Sequence, residues 1–128
     1  MREIKFRGKR IDNDEWVYGG VEQNSIAIIY DDTLPYDNEN LVYKETVGQF
    51  TGLYDKNGTE IYEGDIVDDS ETELIYFIEF ICGEFVGINE ECGIGRIMNS
   101  LSEDGKVIGN IHDNPELLEK ENKWKNKL

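Results

Sequence analysis

The sequence predicts a mainly β protein. Two observations carry that expectation. Apolar residues alternate with polar ones, or form short continuous runs, instead of recurring at helical spacing. Clusters of Gly, Asp and Asn interrupt these runs at short intervals. Helical signals appear only near the C-terminal end, after Asn114 and Pro115. The expected organisation is an N-terminal β segment over residues 1–46, a second β-rich block over 47–112, and a short C-terminal α-helix over 113–128 with a frayed end.

Ile4 and Phe6 alternate with Lys5 and Arg7 as a first strand. "WVYGGV" (16–21) comes after the polar turn "DNDE", and "SIAIIY" (25–30) is continuous enough to be a strand covered on both faces. "DDTLPYDNEN" (31–40) reads as the longest loop and the boundary between the two blocks. The second block opens near Leu41. "VGQFTGLY", "DKNG" and "TEIY" read as strand, turn, strand: Asp55 can bond backbone two residues on, and Gly58 can take positive φ. "EGD" (63–65) is a second corner, reversed at Gly64 and tied by the Asp65 side chain. "ELIYFIEFIC" (73–82) is the strongest strand, with Leu74, Tyr76, Ile78, Phe80 and Cys82 on one apolar face and Ile75, Phe77 and Ile81 on the other, broken by Glu79. Gly83–Glu84 turns it into "FVGIN". "GIGRIMNSLSEDG" (93–105) allows a short strand or a helical turn, and "KVIGNI" reads as the last strand. Asn114 then suits an N-cap and Pro115 the first helical position. Leu117 and Leu118 form a small apolar patch, with Trp124 further along.

Charge bounds the function classes. Asp and Glu total 28 against 13 Lys and Arg, a formal net charge of −15. Such a surface repels phosphate backbones, so nucleic acid is a disfavoured partner. The basic residues cluster at the ends, with Arg2, Lys5, Arg7, Lys9 and Arg10 at one and Lys120, Lys123, Lys125 and Lys127 at the other. If these ends meet, a nucleic-acid-associated small β-barrel is the alternative function. No membrane span or secretory signal is read. With two cysteines, Cys82 and Cys92, the expected setting is the reducing cytoplasm, Cys82 being a small buried hydrophobe on its strand face.

No catalytic, cofactor-binding or metal residue is assigned. Asp55, Glu60, Glu63 and Asp65 fail the calcium-loop spacing, since the sixth position counted from Asp55 is Glu60 and Gly58 falls at the fourth. Cys82, Cys92 and His112 lack the paired spacing of a zinc site. His112 beside Asp113 has no accompanying nucleophile elbow, and Gly93 and Gly95 lack the third glycine of a dinucleotide loop. Most of the aromatic residues sit at strand positions where core packing or subunit contact accounts for them.

"VGQFTGLYDKNGTEIYEGDIV" (47–67) resembles the characteristic stretch of the YopX protein family of bacteriophages and prophages. "REIKFRGKR" (2–10) is similar to that family's opening strand, and "VIGNIHDNPELLE" (107–119) to its closing strand and helix start. The resemblance implies that residues 47–112 form an SH3-like β-barrel with Gly64 and Asp65 at a corner, and it implies a phage or prophage origin in a bacterial host and self-association. It supplies no activity and no site residue. The expected function is therefore a non-enzymatic phage accessory protein, acting as a homo-oligomer or on a host or phage protein.

Overall fold

The structure is a computed structural model and describes residues 4–23, 27–30, 40–91 and 93–118. The chain is mainly β and divides into two compact units, Met1–Gly52 and Leu53–Leu128.

The first unit holds β1 (Phe6–Lys9), β2 (Trp16–Gln23), β3 (Ala27–Tyr30), β4 (Asn40–Val42), a 3-10 turn (Lys44–Thr46) and most of β5 (Gly48–Tyr54). Its antiparallel order is β4-β3-β2-β1-β5. The "DNDE" turn forms as expected: the Asp14 amide donates to the Arg10 carbonyl, and Asp14 takes the left-handed φ of 59°. β4 also returns to the end of β1 through an isolated bridge between Arg10 and Val42. Gly8 permits that approach, because a Cβ there would stand 2.9 Å from a Val42 methyl. Val42 is consequently buried, with Phe6, Val17 and Val47 packed against it. The 3-10 turn is held by Thr46, whose hydroxyl accepts from the Lys9 amide at 2.8 Å and donates to the Tyr43 carbonyl at 2.6 Å. Of the expected loop 31–40, residues 31–39 lie outside the described residues, as do the side chains by which β3 could be tested for burial on both faces.

The second unit takes the end of β5, which turns into β6 (Glu60–Tyr62), and then β7 (Asp65–Asp69), β8 (Leu74–Ile81), β9 (Glu84–Asn89), β10 (Ile94–Ile97), α1 (Met98–Asp104) and β11 (Gly105–Asn110). The five-stranded antiparallel order is β10-β9-β8-β7-β11. "GIGRIM" is thus both alternatives at once, a short strand running directly into a helix of seven residues. Among the described strands this sheet is open, with β10 and β11 at its edges; the closed barrel expected over 47–112 is not what the strand pairing forms.

The core lies on one face of this sheet. Tyr76, Ile78, Phe85 and Val67 are buried there together with Met98 and Leu101 of α1. Two glycines set the spacing. A Cβ on Gly87 would run into the Leu101 side chain, so its absence lets α1 sit down on the sheet. A Cβ on Gly105 would run into the Leu101 carbonyl oxygen and the Val67 side chain, so the helix can pass directly into β11 only at a glycine.

Two expectations are corrected, and burial along the 73–82 strand is uneven: Tyr76 and Ile78 are buried, Leu74, Ile75 and Phe77 half-buried, and Phe80 47% and Ile81 39% exposed. Cys82 is exposed at the hairpin tip, not buried on a strand face. It and Gly83 are the two left-handed turn residues, at φ 53° and 85°, the backbone that a two-residue hairpin requires. Finally, the Asn114 side chain does not cap a helix forward. Its Oδ1 accepts from the Asn110 amide behind it, and only residues 116–118 are helical before the described chain ends. Residues 119–128 of the expected helix, Cys92, Arg2 and the terminal lysines lie outside the described residues.

Leu101 is completely buried. Leu101→Ala should lower the unfolding free energy by about 2–5 kcal/mol through the cavity it leaves. Gly105→Ala should cost about 1–3 kcal/mol by overpacking. Both are read from urea denaturation midpoints, with unchanged m-values.

Candidate functional site

The carboxylates that crowd residues 55–69 are fastened to the backbone. Asp55 closes the β5–β6 turn. Its Oδ1 accepts from the amides of Asn57 (2.8 Å) and Thr59 (2.9 Å), and its Oδ2 accepts from the amide of Val107 on β11 (2.8 Å). Gly58 takes the left-handed φ of 84° beside it. Asp55 is only 6% exposed. Burial pushes the carboxyl up, but the three backbone donors, from Val107, Thr59 and Asn57, together with the Lys106 charge, outweigh it and hold the group below its ordinary value. The same turn is fixed from two further sides. The Lys56 amide donates to the Gly105 carbonyl, and the Ser102 hydroxyl donates to the Tyr54 carbonyl.

Asp65 does the equivalent at the second corner. It is buried and its Oδ2 accepts from the Tyr62 amide at 2.7 Å, across Gly64 at φ 92°. The Gly64 amide donates to the Ile78 carbonyl, and the Gly64 carbonyl accepts from the Ile111 amide. The corner therefore joins β8 to the segment just after β11.

A third carboxylate carries no such mark in the sequence. Asp69 ends β7 fully buried, with Oδ2 accepting from the Thr72 hydroxyl at 2.7 Å and lying 3.1 Å from Arg96 Nε. Arg96, on β10, also meets Asp104 at 3.3 Å and Glu71 at 3.7 Å. Ser70 donates to the Asp104 carbonyl through both its amide and its hydroxyl, so the β7–β8 turn is tied to the end of α1. The Glu71 carboxyl is pushed above its ordinary value, first by the hydrogen bond it shares with Asp104 and then by that neighbour's charge, against the pull of Arg96. The available signal was a single arginine inside an otherwise uncharged, glycine-rich stretch, "GIGRIM".

The remaining sequence candidates do not gather. Glu60 accepts from the Tyr62 hydroxyl at 3.1 Å. His112 and Asp113 are turn residues whose amides donate to Asn110 Oδ1 at 3.0 and 2.9 Å. Among the described residues, no three His, Cys, Asp or Glu side chains are grouped as a metal ion would need, and no helix is long and apolar enough to cross a membrane. Of the N-terminal cations, Arg7 is buried over the Trp16 ring at 4.7 Å, and Arg10 pairs with Asp12 through both Nε (2.9 Å) and Nη2 (2.7 Å). A depression of about 180 Å³ lies on the sheet face away from α1. Its lining is Ile75, Phe77, Ile88 and Leu118, with Asn89, Glu90 and Glu91 at one side.

These features define a two-unit, mainly β protein whose acidic turn residues organise backbone. The family comparison agrees with the residues that suggested it: the model of the YopX protein family matches residues 5–119, and the chain belongs to that family. Among solved structures, the crystal structure of protein EF1440 from Enterococcus faecalis is similar to this chain at 24% identity and a TM-score of 0.54. The match covers 92% of this chain and 99% of that one, and shows a shared fold. No curated protein matches the sequence.

Asp55→Asn should destabilise the fold by about 1.5–3 kcal/mol, because one charged acceptor of backbone N–H is lost and an amide NH₂ would face the Val107 donor. The sign with pH comes from the lowered carboxyl. Its stabilisation is complete above the ordinary carboxylate range and is lost as pH falls through the depressed folded value. Wild type should therefore lose stability in acid more steeply than Asp55→Asn, as measured by thermal melts between neutral pH and acid.

Proposed function

We propose that this protein is a non-enzymatic phage or prophage accessory protein that works by self-association. The observation that carries this reading is the bare end of the β8–β9 hairpin. Phe80 is on one face, Ile81 on the other, and Ile97 of β10 is 63% exposed nearby in the same sheet. Phe80 rests edge-on against Phe85 at 4.8 Å between ring centres, so the exposed ring is held in place on its hairpin. Fixed apolar side chains of this kind suit an interface, since they lose little side-chain freedom on contact.

Two further features support the reading. The carboxylates Asp55, Asp65 and Asp69 accept hydrogen bonds within their own turns, which suits scaffolding more than proton transfer. The connectivity of the second unit also supports the SH3-like likeness. A four-strand meander is succeeded by one short helix and a fifth strand that returns to pair with the first of the meander. Such modules serve many roles, and the role lies in the surface they present. The nucleic-acid alternative is the weaker one, because Arg7 is buried and Arg10 is neutralised by Asp12.

Net charge makes a specific demand on self-association. Copies carrying −15 repel one another, so added salt should strengthen the assembly. Sedimentation velocity across protein concentration should show an associating species whose population rises with salt, and Phe80→Glu with Ile81→Glu should shift it to monomer. A single monomeric species at every concentration and salt would overturn the reading.

A further inference from the structure

The outer face of the second sheet, away from α1, is divided by charge. Phe77 of β8 pairs with Ile88 of β9, Glu79 with Val86, and Ile81 with Glu84, and alternate residues along these strands point to this face. Ile75, Phe77, Val86 and Ile88 form a half-buried apolar floor, part of which is the depression described above. Glutamates stand at both ends of that floor. Glu79 and Glu84 are exposed toward the hairpin tip, and Glu90 and Glu91 flank the depression at the other end. Among the described residues, no ion pair or hydrogen bond engages these four side chains. The cation that the register brings to this face, Lys106 on β11, lies opposite Asp68 and two strands away from β8. Arg96 is turned to the other face, where it meets Asp69.

We propose that this face binds a cationic amphipathic helix of another protein, with its apolar stripe on the floor and its lysines or arginines at the two pairs of glutamates. Three features fix that chemistry. A floor of side chains offers an incoming backbone no sheet edge, so the occupant must satisfy its own backbone hydrogen bonds, as a helix does. The depression in the floor offers a seat for one large apolar side chain, the kind of anchor in which binding energy concentrates. The unmatched carboxylates select positive charge at both ends and repel an acidic copy of this chain, whose formal net charge is −15. The spacing follows from the strand. Glu84 opens β9 and Glu90 comes directly after its last residue, so the two acidic ends lie roughly 20 Å apart. A helix covers that span in about 13 residues, so its cations should fall about three to four turns apart.

The test is fluorescence anisotropy of a labelled leucine–alanine–lysine peptide of about 16 residues, with one leucine stripe and lysines only in its first and last turns. Titrated with the full chain, it should bind, and binding should weaken as salt rises. A peptide of the same composition with the stripe scrambled should bind about tenfold more weakly. Glu79→Lys with Glu84→Lys, and separately Glu90→Lys with Glu91→Lys, should each weaken binding about tenfold while far-ultraviolet circular dichroism stays native. Absence of binding overturns the proposal, whether the face is bare or taken by a second copy or by another part of the chain. So does equal binding of the scrambled peptide, or an affinity that either charge reversal leaves unchanged. Self-association stands or fails separately. Its assembly should grow with salt and be lost on changing Phe80 and Ile81, whereas peptide binding should fade with salt and persist in Phe80→Glu with Ile81→Glu.

Discussion

The structure of the second unit rests on a single carboxylate. Asp55 takes three backbone N–H groups, two from its own turn and one from a strand 52 residues further along the chain. An ionised carboxylate is well suited to this, because it offers acceptor sites in several directions and carries no competing donor. A neutral acceptor could serve the turn, but the Val107 amide would then lack a charged partner. The turn, the descent of α1 onto the sheet and the entry to β11 are consequently held in one place. Asp65 and Asp69 repeat the device at the next two reversals. The acidity of this stretch is thus partly architectural, with buried negative charge stabilised by oriented amides and, at Asp69, by Arg96.

Much of this was legible in the residues. Asp55 with Gly58, and Asp65 with Gly64, announced their turns because backbone reversal needs a local acceptor and a residue without Cβ. The strands between residues 60 and 89 were evident from alternation and β-branched content. What the sequence concealed was long-range. The Val107 contact of Asp55 has no local signature, and neither has the Arg96–Asp69 pair, whose members are separated by β8 and β9. Cys82 was misplaced for a different reason. Alternation extrapolates a strand face to its last residue, whereas the hairpin had already reached its left-handed turn there. The 3-10 turn at Lys44–Thr46 was missed because its stabiliser is a threonine hydroxyl bonded to a strand remote in sequence. The division between units falls inside β5, a continuous strand, where no change in composition could mark it.

The two units use glycine in the same way. Gly8 admits Val42, and Gly87 and Gly105 admit α1 and Val67. In each case the absent side chain lets a larger neighbour approach the backbone, which is how short strands and a seven-residue helix reach core packing. Tyr76, fully buried, packs beside Gly87, and its hydroxyl finds its partner in Thr72 at 3.1 Å.

The strand order has a consequence for biosynthesis. β7 is internal in the sheet, yet one of its two neighbours, β11, is the last of the described strands to be made; Asp69 must wait for Gly105. A chain emerging from the ribosome therefore presents β7 to β10 as a meander whose β7 edge still lacks its partner, and the Asp55 carboxylate lacks its third donor until Val107 appears. Raw edges of this kind recruit neighbouring nascent chains. Asp68, exposed on β7 between buried Val67 and Asp69, places a charged side chain on that waiting strand, and charges on an edge strand disfavour pairing with another chain.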